Sequence, residues 1–129
     1  MKLNLTLNAP ESLGGFTNID AYRLPDTFVQ AGATHILGGV GNLDAYVDDA
    51  ECDTVIANDV IDYFLPSDVD SVIDNWVGKL RTGGQITIGG IDIQEVARQL
   101  ATKEIDINTA NRLIYGDQQQ PWQSRKSAI

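Results

Sequence analysis

One cysteine, one histidine and nine basic residues in 129 leave several kinds of chemistry short of material. Cys52 has no second cysteine to pair with, so neither an intramolecular disulfide nor a cysteine metal cluster can form. It stands between Glu51 and Asp53 ahead of an apolar run. Neighbouring carboxylates raise a thiol's pKa, so a small, semi-buried residue is expected there and not a reactive thiolate. His35 lies between Thr34 and Ile36 in the middle of a short strand, and alone it supplies no His-based triad or metal site. The basic residues are outnumbered by 18 acidic ones, for a formal charge of −9. Such a surface repels phosphate backbones and anionic lipid, so nucleic acid and membrane surfaces are not expected partners. No apolar run approaches the ~20 residues that span a bilayer. Met1-Lys2-Leu3-Asn4 shows no basic segment leading into an apolar stretch, so no secretory leader is expected and the cytoplasm is the expected compartment.

The chain does have the makings of one globular domain over 1–129, with 43% apolar and 21% charged residues. Leu3 to Leu7 alternates apolar and polar and reads as a first strand; the Pro10 and Gly14-Gly15 region is loop chemistry. Phe16 to Asp20 and Thr34 to Leu37 read as strands, with a helical turn or two over Pro25–Gln30 between them. Asp53 to Asn58 is apolar and β-branched, as a buried parallel strand should be. Pro66-Ser67 opens a helix in which Ser67 can cap, with Asp70 three residues on. Val69, Val72, Ile73, Trp76, Val77 and Leu80 form its apolar stripe. Gly83-Gly84 precedes a fifth strand, Gln85 to Gly89. Asp92 with Glu95 starts a helix burying Ile93, Val96, Ala97 and Leu100, and a last helix runs from about Ile107 to Tyr115, stopped by Gly116. Alternating strands and helices argue for a parallel sheet. Only eight residues separate the first two strands, too few for a helical crossover.

That short connection is also where a family resemblance begins. Lys2-Leu3-Asn4-Leu5, a loop, then Gly15-Phe16-Thr17-Asn18-Ile19-Asp20 resembles the opening of short-form class I S-adenosylmethionine (SAM)-dependent methyltransferases. Asp53-Thr54-Val55-Ile56-Ala57-Asn58, the run on to Phe64, and Leu80-Arg81-Thr82-Gly83-Gly84 are similar to that family's central strand and its Leu-Lys-Pro-Gly-Gly turn. Tyr115-Gly116 and Arg125-Lys126-Ser127 resemble its Tyr-Gly and His-Lys-Ser. The resemblance implies a three-layer Rossmann-like α/β fold, a mainly parallel sheet of order 3-2-1-4-5, and SAM as cofactor. The chain departs from the family in three ways. Thr6-Leu7-Asn8-Ala9-Pro10 stands where the family has Gly-x-Gly, Asp62-Tyr63 replaces Glu-His, and the sequence stops before the terminal hairpin strands. The turn normally needs glycine because the backbone bends sharply against its ligand.

By that resemblance the cofactor would be held by Thr6 and Asn8 after the first strand, Asp20 after the second, Asn42 and Leu43 after the third, and Asn58 and Asp59 after the fourth. Asp20 has the chemistry to accept from both ribose hydroxyls, or it is a loop carboxylate beside Tyr22 and Arg23. Asn42 can accept from an adenine amino group and donate to a ring nitrogen, or it is a turn residue. Gly38-Gly39-Val40-Gly41 lacks the Lys and Ser/Thr of a phosphate loop and reads as an ordinary turn. Asn58 and Asp59 sit at the strand ends where open α/β sheets bind ligands, or in a turn leading to a helix. Trp76 is expected in the core, whereas Trp122 packs across the sheet edge or onto a partner. No catalytic residue stands out; methyl transfer works mainly by holding donor and acceptor in line. The acceptor, a small molecule or a protein, is not readable. Two functions are carried forward: a SAM-dependent methyltransferase, or a non-catalytic module of the same fold. A fifth strand with no hairpin beside it leaves an uncharged edge, so self-association is expected unless the tail from Asp117 covers it.

Overall fold

All five expected strands form, in one sheet whose order is β3-β2-β1-β4-β5 with every pairing parallel. The strands are β1 (Lys2–Thr6), β2 (Thr17–Asp20), β3 (Thr34–Leu37), β4 (Cys52–Asn58) and β5 (Leu80–Gly89), and the helices are α1 (Pro66–Gly78), α2 (Ile93–Ala101) and α3 (Ile107–Tyr115). The computed structural model describes residues 1–9, 11–23, 32–118 and 121–126. The expected helical turns over Pro25–Gln30 lie outside the described residues, as do Pro10 and Ser127.

Register sorts the strand residues by chemistry. Leu3, Leu5, Ile19, Val55 and Ala57 share one face and are buried, with Ile36, Ile86 and Ile88 continuing it on the outer strands. The opposite face holds Asn4, Thr6, Asn18 and Asp20. Buried polar groups need partners: Asn4 Nδ2 donates to Asn18 Oδ1 at 2.8 Å, and Asn18 also meets the backbone of Leu13. A parallel sheet usually carries helices on both faces. Among the described residues α1 covers the apolar face, while the loop between β1 and β2 packs on the polar one. The backbone groups of this loop satisfy Asn18 on that face.

Trp76 anchors α1. It is fully buried, its Nε1 donates to the Val40 carbonyl at 2.8 Å, and its ring meets Phe64 edge-on at 6.4 Å. Val69, Val72 and Ile73 pack beside it as the stripe predicts, but Val77 is 47% exposed and Leu80 already belongs to β5. Ser67 does not cap. The N-cap is Leu65 with no side-chain bond, because Pro66 with its preset φ takes the first helical position and draws Ser67 inside the turn. Asp92 and Asp106 do cap α2 and α3, accepting from the backbone N–H groups of Glu95 and Thr109. Of the four residues expected to be buried in α2 only Val96 is; Ile93 and Ala97 are exposed, since α2 packs chiefly on α3 and not on the sheet.

Gly83-Gly84 lies within β5 and not ahead of it. Cys52 pairs with Leu80 and Thr54 with Gln85, so the extra residues of β5 loop out at a bulge, and Gly83 takes φ +83° there. Cys52 is buried; burial pushes its thiol pKa up, and Glu51 and Asp53 add to that. His35 lines a cavity of about 10 Å³ with Ser12, room for roughly one water. No helix among the described residues is long and apolar enough to cross a membrane.

Candidate functional site

At the carboxyl end of β2, Asp20 is 6% exposed and its carboxylate gathers five donors. Oδ1 accepts from the backbone N–H of Asn8 at 2.9 Å, Tyr22 at 2.8 Å and Arg23 at 3.0 Å; Oδ2 accepts from Ala9 N–H and Thr6 Oγ1, both at 2.8 Å. A carboxylate has about four lone-pair sites, so its acceptor capacity is spent inside the chain. Burial pushes its pKa up, but the hydrogen bonds from Tyr22, Asn8, Ala9 and Thr6 outweigh that and hold it below the ordinary value. In this arrangement Asp20 fastens the loop after β1 to the loop after β2.

That fastening holds a sharp first turn that contains no glycine. Asn8 adopts φ +61°, the left-handed conformation that glycine takes freely and that asparagine tolerates best among other residues. Across the sheet's switch point, Asp59 follows β4 with φ +57°. Both residues line one cleft of about 160 Å³, together with Leu7, Tyr63, Asp117 and Trp122. Of the five described non-glycine residues with left-handed backbone, Asn8 and Asp59 flank this space at the carboxyl ends of β1 and β4, while Ala50, Lys103 and Gln118 do not line it. Backbone strain of this kind collects at functional sites.

Residues 121–126 close over this rim. Trp122 stacks on Tyr22 with ring centroids 3.9 Å apart and planes 8° apart. Arg125, with its side chain 9% exposed, donates to Asp59 and, at 3.4 Å, to the fully buried Asp62. Burial opposes charge on Arg125, yet Asp59, Tyr63 and Asp62 outweigh it and hold the guanidinium above its ordinary pKa. Burial likewise pushes the Tyr63 hydroxyl up, with Asp59 adding to it. The backbone N–H groups of Arg125 and Lys126 donate to the carbonyls of Tyr115 and Asp62, and a Cβ on Gly116 would strike the Gln123 carbonyl.

Thr6, Asn8, Asp20 and Asp59 are therefore gathered at one rim, with Thr6 and Asp20 bonded beneath the turn and Asn8 and Asp59 on the cleft. Asn58 precedes Asp59 at the end of β4 and is exposed. Asn42 and Leu43 lie apart from this cleft: Asn42 Oδ1 accepts from Asp44 N–H, and Leu43, fully buried, donates its N–H to Asn75 Oδ1 of α1. Tyr63, Asp117 and Arg125 were not among the residues expected at the site. Tyr63 stands in the sequence only as a departure, in Asp62-Tyr63 for Glu-His, Arg125 only in the resemblance of Arg125-Lys126-Ser127, and Asp117 only as the start of the tail; no local pattern reveals that Arg125 reaches Asp59 across more than sixty positions. Compared with known proteins, the chain matches no family model, no curated protein and no solved structure.

Proposed function

We propose that this domain is a SAM-dependent methyltransferase whose cofactor cleft lies between Asn8 and Asp59, acting on an acceptor that is not identified. The observation that carries the reading is that pair of left-handed residues lining one cleft where the strand order 3-2-1-4-5 reverses, the crevice where open α/β sheets bind ligands. SAM when bound supplies an activated methyl group on a sulfonium. Asn8 and Asp59 have the polar groups to hold its amino-acid end, and Tyr63 and Trp122 offer aromatic walls to a cation. The fit is incomplete at the ribose, because Asp20 has no free acceptor. The cleft is also below the ~300 Å³ at which small-molecule sites begin, so on this reading the segment from Trp122 to Arg125 shifts to admit the whole cofactor.

Calorimetric titration with S-adenosylhomocysteine tests this. Saturable micromolar binding, weakened roughly tenfold by Asp59→Asn through loss of a charge-assisted bond, is the expected result. Silence to millimolar concentration favours the second reading, a non-catalytic module of the same fold. The committed carboxylate of Asp20 is the observation on that side.

We also propose that the chain self-associates through the outer edge of β5. Gln85 and Thr87 are exposed there with no charge, Arg81 at the start of the strand being its charged residue, and Arg125 and Lys126 of the tail bond to Tyr115, Asp59, Asp62 and Tyr63. Light scattering at high micromolar concentration should give at least a dimer, and replacing Thr87 with Lys should return the monomer mass; a monomer for the unaltered chain contradicts the proposal.

A further inference from the structure

We propose that the open cleft against α3, beside the one described above, binds a free α-amino acid as a second small-molecule ligand. It measures about 240 Å³ and is lined by Asp59, Tyr63, Thr109, Arg112, Asp117 and Arg125. Carboxylates and guanidiniums share its wall. A simple anion entering it meets Asp59 and Asp117, and a simple cation meets Arg112 and Arg125; a zwitterion satisfies both signs. The buried Nε of Arg125 has no hydrogen-bond partner, although the charge of that guanidinium is balanced by Asp59 and Asp62. That Nε has no surface a ligand can reach, so the ligand carboxylate is taken by Arg112, whose side chain is exposed on the cleft wall. Asp117 is exposed and takes the ammonium group. The size agrees, being smaller than the 300–1,000 Å³ of drug-sized sites. Leu113 adds one apolar contact to the wall, suited to a short aliphatic side chain.

As a ligand held next to the cofactor this deepens the methyltransferase reading, but the binding itself does not depend on that reading. The experiment is ligand-observed NMR and calorimetry on the full chain. The probes are the free L-α-amino acids and their N-acetyl and carboxamide forms, each with and without saturating S-adenosylhomocysteine. At least one free amino acid should bind saturably, and blocking either of its charged ends should weaken it by about tenfold or more. Arg112→Gln and Asp117→Asn, both at exposed positions that leave the core untouched, should weaken it by a similar factor, while Asp70→Asn on α1 should not. Absence of binding up to the ~10 mM range, equal affinity for the N-acetyl form, or displacement by S-adenosylhomocysteine would overturn the proposal. Amino-acid binding with no response to S-adenosylhomocysteine would remove the cofactor reading and leave this one standing; the reverse pattern would remove only this one.

Discussion

Asp20→Ala should lower the unfolding free energy by about 2–4 kcal/mol, because it strands several partly buried donors at once. Four of those five donors are backbone N–H groups, of Asn8, Ala9, Tyr22 and Arg23, and cannot turn elsewhere without moving two loops. Asp20→Asn keeps one acceptor oxygen but turns an N–H₂ group towards N–H donors, so it should cost roughly half as much. The sign of the pH effect follows from the lowered carboxyl pKa. Stability from Asp20 is fully present above the unfolded value, near 3.9, and drains away as pH falls through the lower folded value. The unaltered protein should therefore lose more stability as pH falls below about 4 than Asp20→Ala does. Urea unfolding at several pH values measures both effects. Asp49 would be a poor control: its carboxylate is exposed, but it meets Lys79, whose side chain is 3% exposed, at 2.8 Å. Asp70 on α1, exposed and away from the rim, is the better choice. Identical acid sensitivity in the variant and the parent would show that Asp20 is not the fastening.

Trp76→Ala should cost about 3–5 kcal/mol, the range for emptying a large aromatic site in a core. That is a large share of the 5–15 kcal/mol a domain ordinarily has, so partial unfolding at 37 °C is the expected outcome. Two losses combine. The ring fills the space between α1 and the apolar face of the sheet, and its Nε1–H satisfies the Val40 carbonyl in the loop after β3. Trp76→Phe separates them: the volume is largely kept and the carbonyl is left bare, for a cost of about 1–3 kcal/mol. Chemical denaturation of the two variants measures the split. If Trp76→Ala lost less than about 1 kcal/mol, the packing of α1 on the sheet would need another anchor.

Strands were legible because each is a short apolar or alternating run set off by Gly, Asn, Asp or Pro. The alternation in Lys2-Leu3-Asn4-Leu5-Thr6 carried further information that the resemblance masked. In a parallel strand, polar residues at every second position call for hydrogen-bond partners on that face, and Asn4 pairs there with Asn18. The helix start at Asp92 was readable as a side chain ahead of helical periodicity, the cap at Asp106 was not read, and Ser67 failed because Pro66 competes for the first helical position. At the site, strand-end placement brought Thr6, Asn8, Asp20 and Asp59 to one rim. What local sequence does not encode is how a carboxylate divides its lone pairs, or that Arg125 reaches back to Asp59. Both depend on tertiary approach, as does the left-handed turn that lets Asn8 stand in for glycine.

The measurement closest to the central claim is a two-dimensional ¹⁵N–¹H correlation spectrum recorded while S-adenosylhomocysteine is added. A cleft between Asn8 and Asp59 predicts that the backbone amides of Asn8, Asp59, Tyr63 and Asp117 move most, together with the indole N–H of Trp122 as its stack on Tyr22 is disturbed. The indole of Trp76, buried on the far side of β1 and β4 and bonded to Val40, should stay still. Shifts centred instead on Asn42 and Leu43, or none at millimolar ligand, would contradict the assignment of this rim as a cofactor site.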